Sequence, residues 1–285
     1  MMIERKYIQW ADGVPYKLKA AFDFSFLSKY GRVFKAFDEQ GSGNISFGID
    51  GIENDGTRYF VKFAGAPIPN YFASPNGEIN TKNAIDRLKY AVDLYRNLEH
   101  HSLIKLLYAE EIGGGFAAVF EYAEAIGIEP LNSPDYMKFM QLPVEKKMKA
   151  FEDIVEFHIH VAAKGYVALD FYDGSILYDY EKDKLIICDI DTYQKSPYVG
   201  DLGLMGSARY VSPEECAKDK VMDEITNVYT IGATAFSLFA YGNRSRDGWT
   251  LNTSLYEVAK RAVSDERSAR HQSIAQFLKE WRANT

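Results

Sequence analysis

Apolar residues in the first half of the chain come in short alternating runs, and in the second half they recur at helical spacing. The runs "GRVFKAF", "ISFGI", "RYFVKFA" and "FAAVFEYA" are rich in aromatic and β-branched residues and are parted by glycine turns, which predicts strands. Between the last two, "NAIDRLKYAVDLYRNL" sets Ile85, Leu88, Val92, Tyr95 and Leu98 on one face of a helix. Further on, "VEKKMKAFEDIVEFHIHVAAKG" reads as a long amphipathic helix stopped at Gly165. "MDEITNVYTIGATAFSLFAYG", "SLYEVAKRAV" and "HQSIAQFLKEWR" follow as helices. Two short strand pieces, "SILYD" and "KLIICD", lie between the first and second helices of this half. The pattern predicts an α+β chain, β-rich first and helical afterwards, with the junction near Tyr122–Gly127.

Composition narrows the function classes. The 285 residues are 47% hydrophobic, enough for a sizeable core in one large domain or two lobes. A net charge of -7 and a pI near 5.4 argue against a surface that tracks a phosphate backbone, so no nucleic acid partner is expected. The basic piece "EKKMKA" is short and opens with an acid, as a solvated helix face does. Cys188 and Cys216 are the only cysteines, too few for a disulfide framework, which predicts a reducing, cytoplasmic setting. "MMIERKYIQW" lacks the apolar stretch of a signal peptide. The most apolar run, "VYTIGATAFSLFAYG", is too short and too rich in Thr, Ser and Gly to span a bilayer. It reads as a buried core helix, and no membrane partner is expected.

Four pieces are candidates for chemistry. "GSGNIS" at Gly41 is a glycine turn between strands, where backbone N–H groups are able to approach phosphate oxygens; a plain hairpin uses the same residues. "YFVKF" places Lys62 inside an apolar strand, where an ammonium needs an anionic partner; on an edge strand it would simply face water. Asp170 and Asp189 each follow a strand-like run, and two such carboxylates suit a Mg²⁺ ion and a reacting hydroxyl. Either aspartate alone would also serve as a turn cap. "GSARYVSPEE" from Gly206 ends in a Pro-initiated helix with Glu214 near its positive end.

Taken in order, the glycine turn, strand lysine, helix, Asp170, Asp189, "SPE" and apolar helix resemble the eukaryotic-type protein kinase family from about Gly31 to Trp281. The resemblance implies a bilobal fold, with a β-rich N-lobe over 31–122 and an α-helical C-lobe over 123–285, preceded by an extension over 1–30 of unassigned role. It implies ATP and Mg²⁺ as cofactors and transfer of the γ-phosphate to a protein Ser or Thr hydroxyl. Gly41, Ser42, Gly43 and Ser46 would lie over the phosphates, with Ser46 where a third glycine is usual. Lys62 would hold the α- and β-phosphates, and backbone groups of Glu121 and Ala123 would bond adenine beside a Phe120 gatekeeper. Asp170 would be the catalytic base. Asp189 would hold the metal, with Ser175 and Asp191 as further ligands, and Glu214 would pair with Arg267 or Arg270.

The chain also departs from that pattern. The helix glutamate expected to meet the strand lysine falls on Ala91, with Asp86 and Asp93 out of register. Leu169 stands for the catalytic-loop arginine, Tyr172 for its lysine and Ser175 for its asparagine. Asp191 replaces the glycine of the metal triplet, and Asn227 an aspartate of the apolar helix. Asp173 and Asp191 add negative charge near the metal position. Two alternatives follow: a nucleotide-binding pseudokinase serving as a regulatory or interaction module, and a small-molecule kinase of the aminoglycoside-phosphotransferase type. "GSARYVSPEE" speaks against the second, while the short "GNRSRDGWTLNTSLYEVAKRAV" keeps a small acceptor in play beside a protein one.

Overall fold

A computed structural model describes residues 7–38, 43–53, 55–69, 81–200, 207–217 and 220–285. The chain is mixed α and β, with strands concentrated in the N-terminal part and helices in the C-terminal part. It divides into two compact units, one formed by residues 1–96 and 104–123 and the other by 97–103 and 124–285.

The first unit opens with a hairpin, β1 (Tyr7–Ala11) and β2 (Val14–Leu18). Asp12 and Gly13 both have positive φ, at 49° and 86°, as a two-residue hairpin turn requires. A five-stranded antiparallel sheet follows, built from β3 (Gly31–Phe37), β4 (Asn44–Gly51), β5 (Arg58–Ala64), β6 (Leu106–Ile112) and β7 (Gly115–Glu121) in the order β3-β4-β5-β7-β6. Alternation divides the sheet into two faces. Ile45, Phe47, Ile49, Val61, Phe63, Ala117 and Val119 form one buried face, which packs with Tyr16, Leu18, Phe24 and Leu27. The rings of Phe24 and Phe47 meet edge-on at 5.2 Å. Residues 16–30 therefore supply part of this unit's core. Helix α1 (Thr81–Asn97) buries Leu88, Ala91, Val92 and Tyr95 at the expected spacing, and Tyr95 packs on Phe120 at 4.8 Å.

The second unit begins with β8 (Ile126–Gly127), α2 (Pro134–Met140) and α3 (Val144–Ala163). Ser133 caps α2 ahead of Pro134, and α3 gives way to Gly165 at φ 75°. Short strands come next: β9 (Tyr166–Val167), β10 (Ile176–Asp179), β11 (Lys184–Ile187), β12 (Gln194–Lys195), β13 (Tyr198–Val199) and β14 (Val221–Met222). Helices α4 (Glu224–Ala240), α5 (Thr253–Ala262) and α6 (Ile274–Ala283) complete it. α4 is buried around its whole circumference and starts on a capping box between Asp223 and Thr226. Phe151, Phe239, Trp249, Phe277 and Trp281 fill the space among the helices. No helix of the described residues is long and apolar enough to cross a membrane.

Candidate functional site

In the first unit Lys62 lies on β5, which is flanked by β4 on one side and β7 on the other. It is therefore not an edge-strand lysine. Its register partners are Ser46 on β4 and Ala118 on β7, and it is only 8% exposed. Ser46 and Gly48 share its face of the sheet, opposite the aromatic core. A Cβ at Gly48 would lie 2.7 Å from the Phe34 ring and 3.1 Å from that of Tyr122, so glycine admits both rings there. Of the expected glycine turn, Gly41 and Ser42 lie outside the described residues. Gly43 has φ 79°, and Ser46 is already inside β4, wholly buried. Glu121 closes β7 and donates its backbone N–H to the Lys105 carbonyl, while Ala123 is the unit's last residue. On α1, Ala91 is buried; Asp86 is exposed, and Asp93 is exposed and 3.6 Å from Arg96.

In the second unit Asp170 and Asp189 both sit in left-handed backbone, at φ 61° and 56°. A non-glycine residue there costs on the order of 1–3 kcal/mol and persists where its surroundings over-determine it. Several bonds do so. Asn227 of α4 accepts from the Ala168 N–H and donates to the Ala168 carbonyl. The Thr192 hydroxyl donates to the Leu169 carbonyl at 2.7 Å. β12 pairs with β9, and the Cys188 N–H donates to the Ser175 carbonyl at 2.9 Å. The loop carrying Asp170 is thus tied both to α4 and to the loop carrying Asp189.

Electrostatics single out Asp170. Burial, reinforced by the carboxylates of Asp189, Glu215 and Glu129, pushes it up to about 7. A carboxylate titrating near neutrality is suited to take a proton from a hydroxyl. A small pocket opens beside it, lined also by Phe171, Ser207, Tyr210, Val211, Glu215 and Thr230. Asp189 is exposed, Asp191 is half-buried, and Ser175 is buried in a 3₁₀ turn over Asp173–Ser175. The Ser175 hydroxyl has no hydrogen-bond partner among the described residues, as suits a ligand donor. Among those residues no three His, Cys, Asp or Glu side chains form a ready-made metal set. In donor chemistry alone, carboxylates and a hydroxyl are groups that Mg²⁺ accepts, since it binds through one or two carboxylates together with substrate phosphates.

The Asp173–Arg209 pair escaped the sequence pattern. Asp173, expected to add charge at the metal position, is wholly buried and pairs with Arg209 at 2.8 Å. Burial raises its pKa, and Arg209 opposes that rise. Arg209 follows Ser207 by two residues and carried no local signal of this role. Glu214 meets both of the arginines expected for it, Arg267 and Arg270: Arg270, wholly buried, bonds both carboxylate oxygens at 2.8 and 2.9 Å, Arg267 bonds one of them, and the Thr226 hydroxyl adds a contact at 3.0 Å. No protein-family model matches the chain, and a search of curated proteins finds no match either.

Proposed function

We propose that this chain is a protein kinase-like phosphotransferase of bilobal fold that moves the γ-phosphate of ATP, with Mg²⁺, to a Ser or Thr hydroxyl of a protein. The observation that carries the proposal is Asp170: a carboxylate pushed up to about 7, tied through its loop to that of Asp189. Asp170 would accept the acceptor's proton as its oxygen bonds the γ-phosphorus and the bond to the β-phosphate oxygen breaks, releasing ADP. Asp189, Asp191 and Ser175 would hold Mg²⁺, which neutralises phosphate charge when bound. Lys62 would meet the α- and β-phosphates, Gly41, Ser42, Gly43 and Ser46 would cover them, and Glu121 and Ala123 would offer backbone groups to adenine.

A second reading, a nucleotide-binding pseudokinase, has its own support. Ala91 is buried where a glutamate is expected, while Asp86 and Asp93 are exposed. Calorimetry with Mg·ATP tests the nucleotide site common to both. Lys62→Ala and Asp189→Ala should each weaken binding about tenfold or more, the loss of one charge-assisted contact. Unchanged affinity in both folded variants would remove the nucleotide site from this chain.

A further inference from the structure

Thr192 and Tyr193 are consecutive, and their hydroxyls reach different parts of the second unit. Thr192 Oγ1 donates to the carbonyl of Leu169, immediately before Asp170. Tyr193 is wholly buried, and its hydroxyl lies 3.4 Å from His158 Nε2. His158 in turn bonds the Ile154 carbonyl through Nδ1 at 2.8 Å and sets its ring edge-on to Phe171 at 4.4 Å. The bond to a carbonyl makes Nδ1 the protonated nitrogen, which leaves Nε2 to accept from Tyr193. Both neighbours of Asp170 in sequence are therefore reached from one dipeptide, which itself follows Asp189 by three and four residues.

We propose that Thr192 is a positioning residue that sets the Asp170 carboxylate against the Asp189 loop, an inference that rests on the phosphotransferase reading. The physical need is the left-handed backbone at both aspartates: each is strained, and neither loop has regular structure of its own to hold it. A hydroxyl donated across the two loops makes their geometries depend on one another. Leu169, buried and apolar, offers only its backbone for such a tie, and Thr192 takes its carbonyl. Tyr193, buried and bonded to His158, anchors the backbone next to the donor.

Thr192→Val is close to isosteric and deletes only the hydroxyl; Thr192→Ser restores it. With a Ser- or Thr-containing protein acceptor, Thr192→Val should lower kcat about tenfold or more, the scale of a misplaced catalytic group, while KM for ATP stays within about twofold. Thr192→Ser should recover the lost turnover. A folded Thr192→Val enzyme with wild-type kcat overturns the inference, as does a Thr192→Ser enzyme as impaired as Thr192→Val. Amide hydrogen exchange reads the same tie without catalysis. Thr192→Val should speed exchange in residues 168–173 and 189–193 together, and Thr192→Ser should not. Absence of transfer by the wild type would defeat the phosphotransferase reading, while coupled exchange would still report the positioning. Unchanged exchange in Thr192→Val would defeat the positioning itself.

Discussion

Asn227 spans the backbone of Ala168: its Oδ1 accepts from the Ala168 N–H at 2.8 Å, and its Nδ2 donates to the Ala168 carbonyl at 2.5 Å. Both residues are buried, so neither backbone group has water to fall back on. An aspartate at 227 would accept but not donate, and would set a carboxylate against the carbonyl oxygen. Ala168 lies two residues before Asp170, which makes this amide a support for the loop.

Asn227→Ala should therefore destabilise the chain by about 2–4 kcal/mol, two buried groups losing their partner. Asn227→Asp should behave differently with pH. Burial against the Ala168 carbonyl should raise the pKa of the new carboxyl, so stability should be retained at low pH and lost as pH rises towards the folded-state pKa. Urea denaturation at pH 5 and pH 8 measures the difference. Equal stability of Asn227→Asp and wild type at both pH values would contradict the account of this bond pair.

The Glu214 cluster gives a graded expectation. Burial tends to raise the Glu214 pKa, but bonds from Arg270, its own backbone and Thr226 outweigh burial and hold it below the usual value. Its contribution is present above the unfolded pKa and lost as pH falls through the folded one. Arg270→Ala should cost about 3–5 kcal/mol, because it leaves a buried carboxylate short of its cation. Arg267 is 31% exposed, so Arg267→Ala should cost clearly less. Denaturation midpoints in the reverse order would rule out this division of roles.

Two histidines add to the loss of stability in acid. Burial pushes His158 down to about 4, and burial together with His101 and His160 pushes His100 down to about 4. The unfolded chain takes these protons near 6.5, so each histidine withdraws stability as pH falls from 6.5 towards 4. Asp170 acts in the opposite sense: raised from 3.8 to about 7, it withdraws stability as pH rises through that range. In chelator, Asp170→Asn should be more stable than wild type at pH 8 and close to it at pH 4. His158→Phe should flatten the acid limb. Thermal melts across pH 4–8 check both, and an unaltered acid limb in His158→Phe would be inconsistent with a neutral buried imidazole.

Much of the fold is legible along the chain because its core strands and long helices repeat at their own periods. β3, β4, β5 and β7 and helices α1, α3, α4, α5 and α6 all fall on the predicted runs. The first hairpin is harder to see. It leaves Tyr7, Ile8 and Trp10 exposed and buries chiefly Tyr16 and Leu18, so its apolar pattern does not mark an inner face. α2 is only seven residues and owes its start to the Ser133–Pro134 cap. At the candidate site the acidic residues stand out in sequence, but their supports do not. Arg209, Thr192 and Asn227 act across 36, 23 and 59 residues of chain, distances at which local pattern is silent.

Transfer of γ-phosphate from Mg·ATP, measured for wild type and Asp170→Asn with nucleotide binding followed in both, bears most directly on the proposed function. A base acts in the transition state more than in the ground state, so the substitution should spare binding. Wild type should phosphorylate a Ser- or Thr-containing protein or itself. Asp170→Asn should bind Mg·ATP with similar affinity and transfer about 10²–10⁴-fold more slowly. Full transfer by Asp170→Asn, or binding with no transfer by wild type to any acceptor, would contradict it, the latter in favour of the pseudokinase.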